Sequence, residues 1–190
     1  EAGAQVVVEH QIEAAAAEEQ AQTARTPAQA ARCVQIEHES IWLFGADVLG
    51  PWFTAAHLPK TAAFFAAVRD DFISVNRAAK ALHPRQRPPF ADPRIKPCVE
   101  FADTGSYPSG HGIQSSLWAA LLTEIFADHA AGFAQRAGET RHYKLLSGVH
   151  CPSDLAAGQA VGEALARALL KNSAVQQAIG ELRAETAAYR

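Results

Sequence analysis

The chain has 190 residues, of which 48% are hydrophobic and 19% are charged, and its formal net charge is −3. This composition is typical of one globular domain with a buried core and argues against a disordered chain. The weak negative charge gives no support for a nucleic-acid-binding surface, so any anion site must be local. The best apolar stretch, residues 113–126, contains polar residues and is too short to cross a bilayer, so we expect no integral membrane segment.

The segment before Thr26 has few core residues and is expected to be loosely attached. The first 39 residues as a whole are polar and rich in Ala, Glu and Gln, which predicts an N-terminal helical arm. Within it, Thr26 followed by Pro27 is a favourable helix start. Residues 40–190 are predicted to form the main helical domain.

Helical periodicity dominates that domain. Apolar residues recur every three or four positions in 58–82, 112–137 and 152–172, and a last helix is predicted over 173–189. A long Pro-rich connection covers 83–108, and such connections are often functional. No stretch alternates as a strand does, so the sequence predicts an all-α fold, a single-domain bundle of six to eight helices.

The three cysteines, Cys33, Cys98 and Cys151, match no zinc-binding pattern because the chain has no Cys-x-x-Cys. Their spacing leaves two interpretations open. One is a disulfide with one remaining thiol, and the other is three reduced, buried thiols.

Two cations lie where the predicted helix over 58–82 ends. Lys80 closes that helix, and Arg87 follows seven residues later, before Pro88. The helix dipole favours cations at this end. Taken alone, the pattern is most often a basic helix end in solvent.

The segment Pro108-Ser109-Gly110-His111 leads into the next apolar helix. The first N–H groups of a helix lack intrahelical acceptors and bind phosphate readily. Ser109 can add a hydroxyl donor, and His111 can give a proton to a leaving oxygen. Taken alone, the segment is most often a capped turn with a surface histidine.

His150 and Asp154 are four residues apart near the start of another helix. A carboxylate bonded to one imidazole nitrogen fixes the tautomer and leaves the other nitrogen basic, as a histidine nucleophile requires. Lys144 can bring a third cation. Together the three stretches hold cations, a glycine-bearing helix start and an oriented histidine, which are the groups that phosphoryl transfer through a phosphohistidine needs.

These stretches resemble the type 2 phosphatidic acid phosphatase superfamily, and most closely its soluble class A bacterial acid phosphatases. Vanadium haloperoxidases share the fold and the motifs. The motifs that carry the resemblance are Lys80-x6-Arg87-Pro88, Pro108-Ser109-Gly110-His111 and Tyr143-Lys144-x5-His150-x3-Asp154. The third has Tyr-Lys where the family usually has Ser-Arg.

The resemblance implies a role for each motif residue. His150 attacks phosphorus and becomes the phosphohistidine, Asp154 orients it, and His111 protonates the leaving alcohol and then activates water. The phosphate oxygens are held by Lys80, Arg87, Ser109, Gly110 and Lys144. The resemblance also implies a helical bundle of the acid phosphatase and vanadium haloperoxidase type, no metal or other cofactor, and vanadate as an inhibitor or phosphate mimic.

Lys144 departs from the family motif in a way that has a chemical consequence. Arginine offers phosphate a planar, bidentate fork, whereas lysine offers one compact charge. We therefore expect weaker phosphate binding or slower turnover, unless Arg141, one helical turn earlier, compensates.

The resemblance also bears on the cysteines and on location. If the loop before the second motif and the start of the third line one pocket, Cys98 and Cys151 lie near each other, and we expect a disulfide between them. We expect a periplasmic or secreted protein whose signal peptide has been removed.

The sequence thus predicts a soluble, metal-independent phosphomonoesterase that acts on small phosphorylated substrates, with no nucleic-acid partner. Two alternatives are kept. One is an oxyanion-binding family member with little turnover, and the other is a vanadate-dependent haloperoxidase. The sequence leaves open whether the chain forms a homo-oligomer.

Overall fold

The computed structural model describes residues 24–189, which form eight α-helices and no strand. The all-α prediction is confirmed. The helices are α1 (Pro27–Glu37), α2 (Ile41–Leu49), α3 (Pro59–Leu82), α4 (Pro88–Ala91), α5 (Gly110–Ile125), α6 (Ala130–Leu146), α7 (Pro152–Leu169) and α8 (Ser173–Thr186).

Polar side chains and prolines set the helix starts. Thr26 Oγ1 accepts from the Gln29 amide at 3.2 Å, and Gln29 Oε1 accepts from the Thr26 amide at 2.8 Å. This reciprocal capping satisfies N–H groups that α1 leaves without acceptors. Ser40 and Ser109 cap α2 and α5 without such reciprocity, through one hydrogen bond each.

The α5 helix lies at the centre of the bundle, and most of its residues are buried. It packs chiefly against α6 and α7. Gly158 and Gly162 on α7 face the α5 backbone so closely that a Cβ on Gly158 would lie 2.6 Å from the Ser109 carbonyl oxygen. Glycine is therefore required for this approach, which brings the start of α5 next to the start of α7.

The predicted helix over 112–137 is two helices in the structure. The chain leaves helical geometry at Phe126 and makes a short 3-10 turn, Ala127–His129, before α6 begins. The Phe126 ring is buried against Trp52, Phe53 and Phe133. Burial of this ring lets the chain turn and pack α6 against α5, so the prediction of one continuous helix is wrong.

Helix α1 packs against α6, and Cys33 and Ile36 on it are buried. Just before it, Arg25 Nη1 donates to the Leu146 carbonyl at 2.8 Å. Helix α1 is therefore anchored to the bundle, and the segment that we expect to be loosely attached lies before it. Residues 1–23 lie outside the described residues, and the domain boundary after residue 39 stays a prediction.

Across residues 24–189, every helix falls short of the length and apolar character that a bilayer crossing requires.

Candidate active site

A cavity of about 440 Å³ opens where α1, α3, α5 and α6 meet the Pro-rich connection. Its walls include six residues predicted from the motifs, namely Lys80, Arg87, Gly110, His111, Lys144 and His150. The two other predicted residues, Ser109 and Asp154, are fully buried behind the wall. The structure therefore brings the three motifs together around one space.

His150 lies just before α7 and is held from both ring nitrogens. Its Nδ1 lies 3.4 Å from Asp154 Oδ2, and its Nε2 lies 3.3 Å from Arg87 Nη1. Because an ionised carboxylate only accepts hydrogen bonds, Nδ1 carries the hydrogen and Nε2 keeps its lone pair. Nε2 is therefore the nitrogen that can attack.

Burial lowers the pKa of His150 to about 3, because the charged imidazolium is poorly solvated there; the Arg87 and Lys144 charges act in the same direction, against Asp154. The imidazole is therefore neutral over the whole physiological range. A neutral imidazole has the lone pair that a nucleophile requires.

Asp154 is positioned by contacts from three directions. Its carboxylate accepts from the Cys151 amide at 2.9 Å and from Arg85 Nη1 at 2.6 Å, besides contacting His150. Burial acts to raise the pKa of Asp154, but the hydrogen bonds from His150 and Cys151 and the Arg85 charge hold it below its usual value. Asp154 is therefore ionised when it orients His150.

Arg85 is a site residue to which sequence reasoning gave no role. Its Nη1 also contacts Ser153 Oγ at 2.7 Å, and its guanidinium stacks over the Tyr107 ring at 4.5 Å. Its position between the two cations of the first motif was the only signal in the sequence.

Arg87 is buried and fixed by neutral acceptors. Its Nε donates to the Thr104 carbonyl at 3.0 Å, and its Nη1 donates to the Val149 carbonyl at 3.1 Å. Its guanidinium also lies 5.5 Å from the Phe101 ring centre. These contacts fix the guanidinium without cancelling its charge.

Lys80 is held in a similar manner. Its Nζ donates to the carbonyls of Gly105 at 2.6 Å and Pro108 at 2.9 Å. Burial, helped by the Arg87 charge, lowers the pKa of Lys80 to about 8. Lys80 is therefore mostly charged at neutral and acidic pH.

At the start of α5, Ser109 and Gly110 take different positions relative to the cavity. Ser109 Oγ accepts from the Gly112 amide at 3.2 Å, so its hydroxyl caps the helix from within the wall. The Ser109 amide donates to the Asp154 carbonyl at 2.9 Å, which ties the second motif to the third. Gly110 itself lines the cavity, next to Asn76.

His111 faces the cavity from the first turn of α5. Its Nε2 lies 3.2 Å from the Glu37 carbonyl oxygen, which only accepts, so Nε2 carries a hydrogen and Nδ1 is left for proton exchange. Burial, followed by the Lys144 charge, lowers the pKa of His111 to about 4. His111 is therefore neutral above that pH.

Lys144 has a partner that sequence reasoning missed. Its side chain is 2% exposed, and its Nζ forms an ion pair with the Glu37 carboxylate at the end of α1. Burial lowers the pKa of Lys144, while Glu37 opposes that shift. Because 107 residues separate the two in the chain, no local pattern could have indicated the pair.

Arg141 does not reach this cavity. Its Nη1 lies 3.1 Å from Ser116 Oγ, and it lines a separate groove between α5, α6 and α7. The hypothesis that Arg141 compensates for Lys144 is wrong.

The structure records the state of the three cysteines. Cys33, Cys98 and Cys151 form no disulfide in the structure, and the Cys33 thiol donates to the Tyr143 carbonyl at 3.3 Å. Burial, together with Cys98, raises the pKa of Cys33 to about 12. A bridge from Cys98 to Cys151, and the oxidising location that it would need, stay predictions.

Within residues 24–189, no three His, Cys, Asp or Glu side chains cluster as metal ligands do. Metal independence therefore stays a prediction that only an assay with chelator can test.

Comparison with known proteins bears on the same region. The chain is 35% identical over 81 residues to the non-specific acid phosphatase of Salmonella typhi, which is 43% of this chain and 32% of that protein. It is 34% identical over 97 residues to the acid phosphatase of Zymomonas mobilis, which is 48% of this chain and 36% of that protein. The chain thus matches about a third of the length of these relatives.

The family comparison covers more of the chain. The sequence profile of the PAP2 superfamily matches residues 60–177, which is more than half of the sequence and includes all three motifs. The chain belongs to the PAP2 superfamily.

Proposed function

We propose that this pocket hydrolyses phosphate monoesters of small molecules by phosphoryl transfer to His150. The observation that carries the proposal is one imidazole, oriented by a buried aspartate, whose unprotonated Nε2 contacts Arg87 at the wall of a cavity lined by cations. The names of the two relatives, both acid phosphatases, support the same class of reaction.

In the first step the Nε2 lone pair of His150 forms a bond to phosphorus, and the bond from phosphorus to the ester oxygen breaks. The departing alkoxide takes a proton from His111, and an alcohol leaves. Arg87 Nη1 must turn from Nε2 to a phosphate oxygen as this happens, because one lone pair cannot serve both. Asp154 stabilises the positive charge that develops on the ring.

In the second step a water molecule attacks the phosphohistidine. His111, now neutral, takes a proton from that water, the bond between nitrogen and phosphorus breaks, and inorganic phosphate leaves. His150 returns to its neutral form with its hydrogen on Nδ1, so the site is ready for another cycle.

His111 must be protonated when the alcohol leaves, although burial lowers its pKa to about 4. A bound phosphate dianion places negative charge beside the ring and favours the imidazolium. Substrate itself therefore supplies the condition under which His111 acts as an acid.

Charge on the transferred oxygens is matched by Lys80, Arg87 and the N–H groups at the start of α5. Carbonyl oxygens hold Arg87 and Lys80. Because these acceptors are neutral, the charge of both side chains remains available to the phosphate oxygens. Since these groups supply the electrostatic stabilisation that phosphoryl transfer needs, we propose that no metal ion takes part.

The test is hydrolysis of p-nitrophenyl phosphate by the wild type and by a His150→Ala variant, with EDTA present. We expect release of p-nitrophenol by the wild type, inhibition by vanadate and a loss of at least about 10⁴-fold in the variant. His142→Ala, on the exposed face of α6, is the matched control. Equal turnover in His150→Ala would contradict the proposal.

One observation favours a second candidate, an oxyanion-binding protein with little turnover. Glu37 neutralises Lys144, so one of the three cations is already occupied. Binding of inorganic phosphate with no hydrolysis of any phosphate monoester between pH 4 and 8 would select this candidate.

A further inference from the structure

The three cations of the pocket differ in what holds them. Lys80 and Arg87 are fixed by backbone carbonyls, which are neutral. Lys144 is fixed by a carboxylate. The chain therefore places a carboxylate on one of the three lysine and arginine side chains that line the pocket.

Glu37 belongs to the pocket. Its side chain is 19% exposed, it lines the cavity, and its own carbonyl accepts from His111. Burial acts to raise the pKa of Glu37, but the Lys144, His111 and Arg87 charges hold it below its usual value. The carboxylate is therefore ionised, and it contacts the same ammonium that a phosphate oxygen would contact.

We propose that Glu37 sets the affinity of the pocket for phosphate, because its carboxylate takes the position of a substrate oxygen at Lys144. The proposal rests on the function proposed above for the same pocket. A phosphate group that enters must either displace the carboxylate or bind beside it. Both routes weaken the binding of a dianion, since two negative groups then lie within a few ångströms of each other.

The pair also gives a reason for lysine at position 144. A lysine has one compact charge, which a single carboxylate can occupy, whereas the fork of an arginine has donors left over. With Lys144 the carboxylate and the phosphate compete for one group. Position 144 and the end of α1 therefore act together.

The opposite role for Glu37 would be to position Lys144 for phosphate binding. In that case the carboxylate would hold Lys144 where phosphate needs it, and its removal would weaken phosphate binding. The two roles predict changes of opposite sign, which makes them separable.

The experiment is calorimetric titration of the full chain with inorganic phosphate, because this measurement requires no turnover. In Glu37→Gln, which is nearly isosteric, we expect the phosphate Kd to fall by about 10-fold or more, since one negative charge leaves the pocket. The KM for p-nitrophenyl phosphate falls in parallel if the pocket is a phosphatase site. Damage to the fold would not tighten binding.

Two further variants complete the design. Glu181→Gln removes the acid of another lysine–glutamate pair, Lys60–Glu181, which is exposed and away from the cavity, and it should leave the Kd unchanged. Glu37→Asp keeps the charge but withdraws it by one methylene, and its Kd should lie between those of the wild type and Glu37→Gln. This variant also serves if Glu37→Gln does not fold.

An unchanged or raised Kd in Glu37→Gln, or in Glu37→Asp where only that variant folds, overturns the inference. So does the absence of phosphate binding in every protein. Tighter binding without turnover in the wild type would support the inference while contradicting the proposed function, so the two failures are distinguishable.

Discussion

The two sides of the pocket hold their cations by different means. On one side, backbone carbonyls from the Pro-rich connection and from residue 149 fix Lys80 and Arg87. On the other side, a helix from the N-terminal part of the chain brings Glu37 to Lys144. Neutral acceptors position a cation and leave its charge for a ligand, whereas a carboxylate positions it and neutralises it.

This difference indicates that the number of cations in a site is a poor measure of its affinity for an anion. What counts is the charge that remains after the partners within the protein are included. By that measure the carbonyl-held side, which contains Lys80 and Arg87, supplies most of the attraction for phosphate. The carboxylate-held side, which contains Lys144 and Glu37, adjusts that attraction.

The largest effect should come from the carbonyl-held side. We expect Arg87→Gln to lower kcat/KM for p-nitrophenyl phosphate by about 10²–10³-fold, the size of a lost charged donor to the transition state. The matched variant removes both members of the other pair, as Glu37→Gln with Lys144→Gln, and keeps the net charge. It should lose less than about 10-fold, and steady-state kinetics of the two variants would show whether the sides differ.

If the paired replacement lost as much activity as Arg87→Gln, Lys144 would contribute its charge fully. The contrast between the two sides would then be wrong.

A smaller effect is expected at Arg85, which contacts Asp154 but does not line the cavity. Arg85→Ala should lower kcat by about 10-fold, the size of one charged hydrogen bond, with KM unchanged. Because Arg85 positions Asp154, and through it His150, Arg85→Lys should restore part of the loss. A rise in KM with unchanged kcat would show that Arg85 instead contacts the substrate.

The stability of the unliganded protein should fall in acid. Burial lowers the pKa values of His111 and His150 to about 4 and about 3. Below pH 6.5 the unfolded chain therefore protonates these histidines while the fold does not, and stability is lost as the pH falls towards 4. The loss is at most about 1.4 kcal/mol per pH unit for each histidine.

Urea unfolding at pH 7, 6 and 5, without phosphate, measures this slope. His111→Asn should make it shallower, and added phosphate should do the same by favouring the imidazolium. A slope that is flat or reversed between pH 6.5 and 5 would contradict the burial of both rings.

The smallest effect is expected at position 144 itself. Lys144→Arg should change kcat/KM by less than about 3-fold, because Glu37 pairs with either cation and leaves only the spare donors of arginine for phosphate. The same substitution in a Glu37→Gln background should give a larger gain. A large gain from Lys144→Arg alone would show that lysine, and not its partner, limits the site.

The contact between His150 and Asp154 is predictable because it follows from short spacing. His150 and Asp154 are four residues apart, and the turn before α7 brings them together without help from the rest of the fold. The helices were recognisable from their apolar periodicity. The break at Phe126 was not, because it depends on the aromatic rings of other helices that bury this side chain.

The partners from distant parts of the chain could not be predicted. Glu37 meets Lys144 across 107 residues, and Arg85 meets Asp154 across 69. Both contacts depend on how α1 and the Pro-rich connection pack against the bundle. A polar, Ala-rich N-terminal segment carries little information on that packing, although the end of α1 supplies part of the wall of the pocket.

The most direct test of the account is to trap the covalent intermediate. The wild type is mixed with a ³²P-labelled phosphate monoester and quenched in base, because a phosphohistidine survives base and is lost in acid. We expect label on the wild-type chain that is stable to base and labile to acid, and no label on His150→Ala. Turnover by the wild type with no acid-labile label, or equal labelling of His150→Ala, would contradict it.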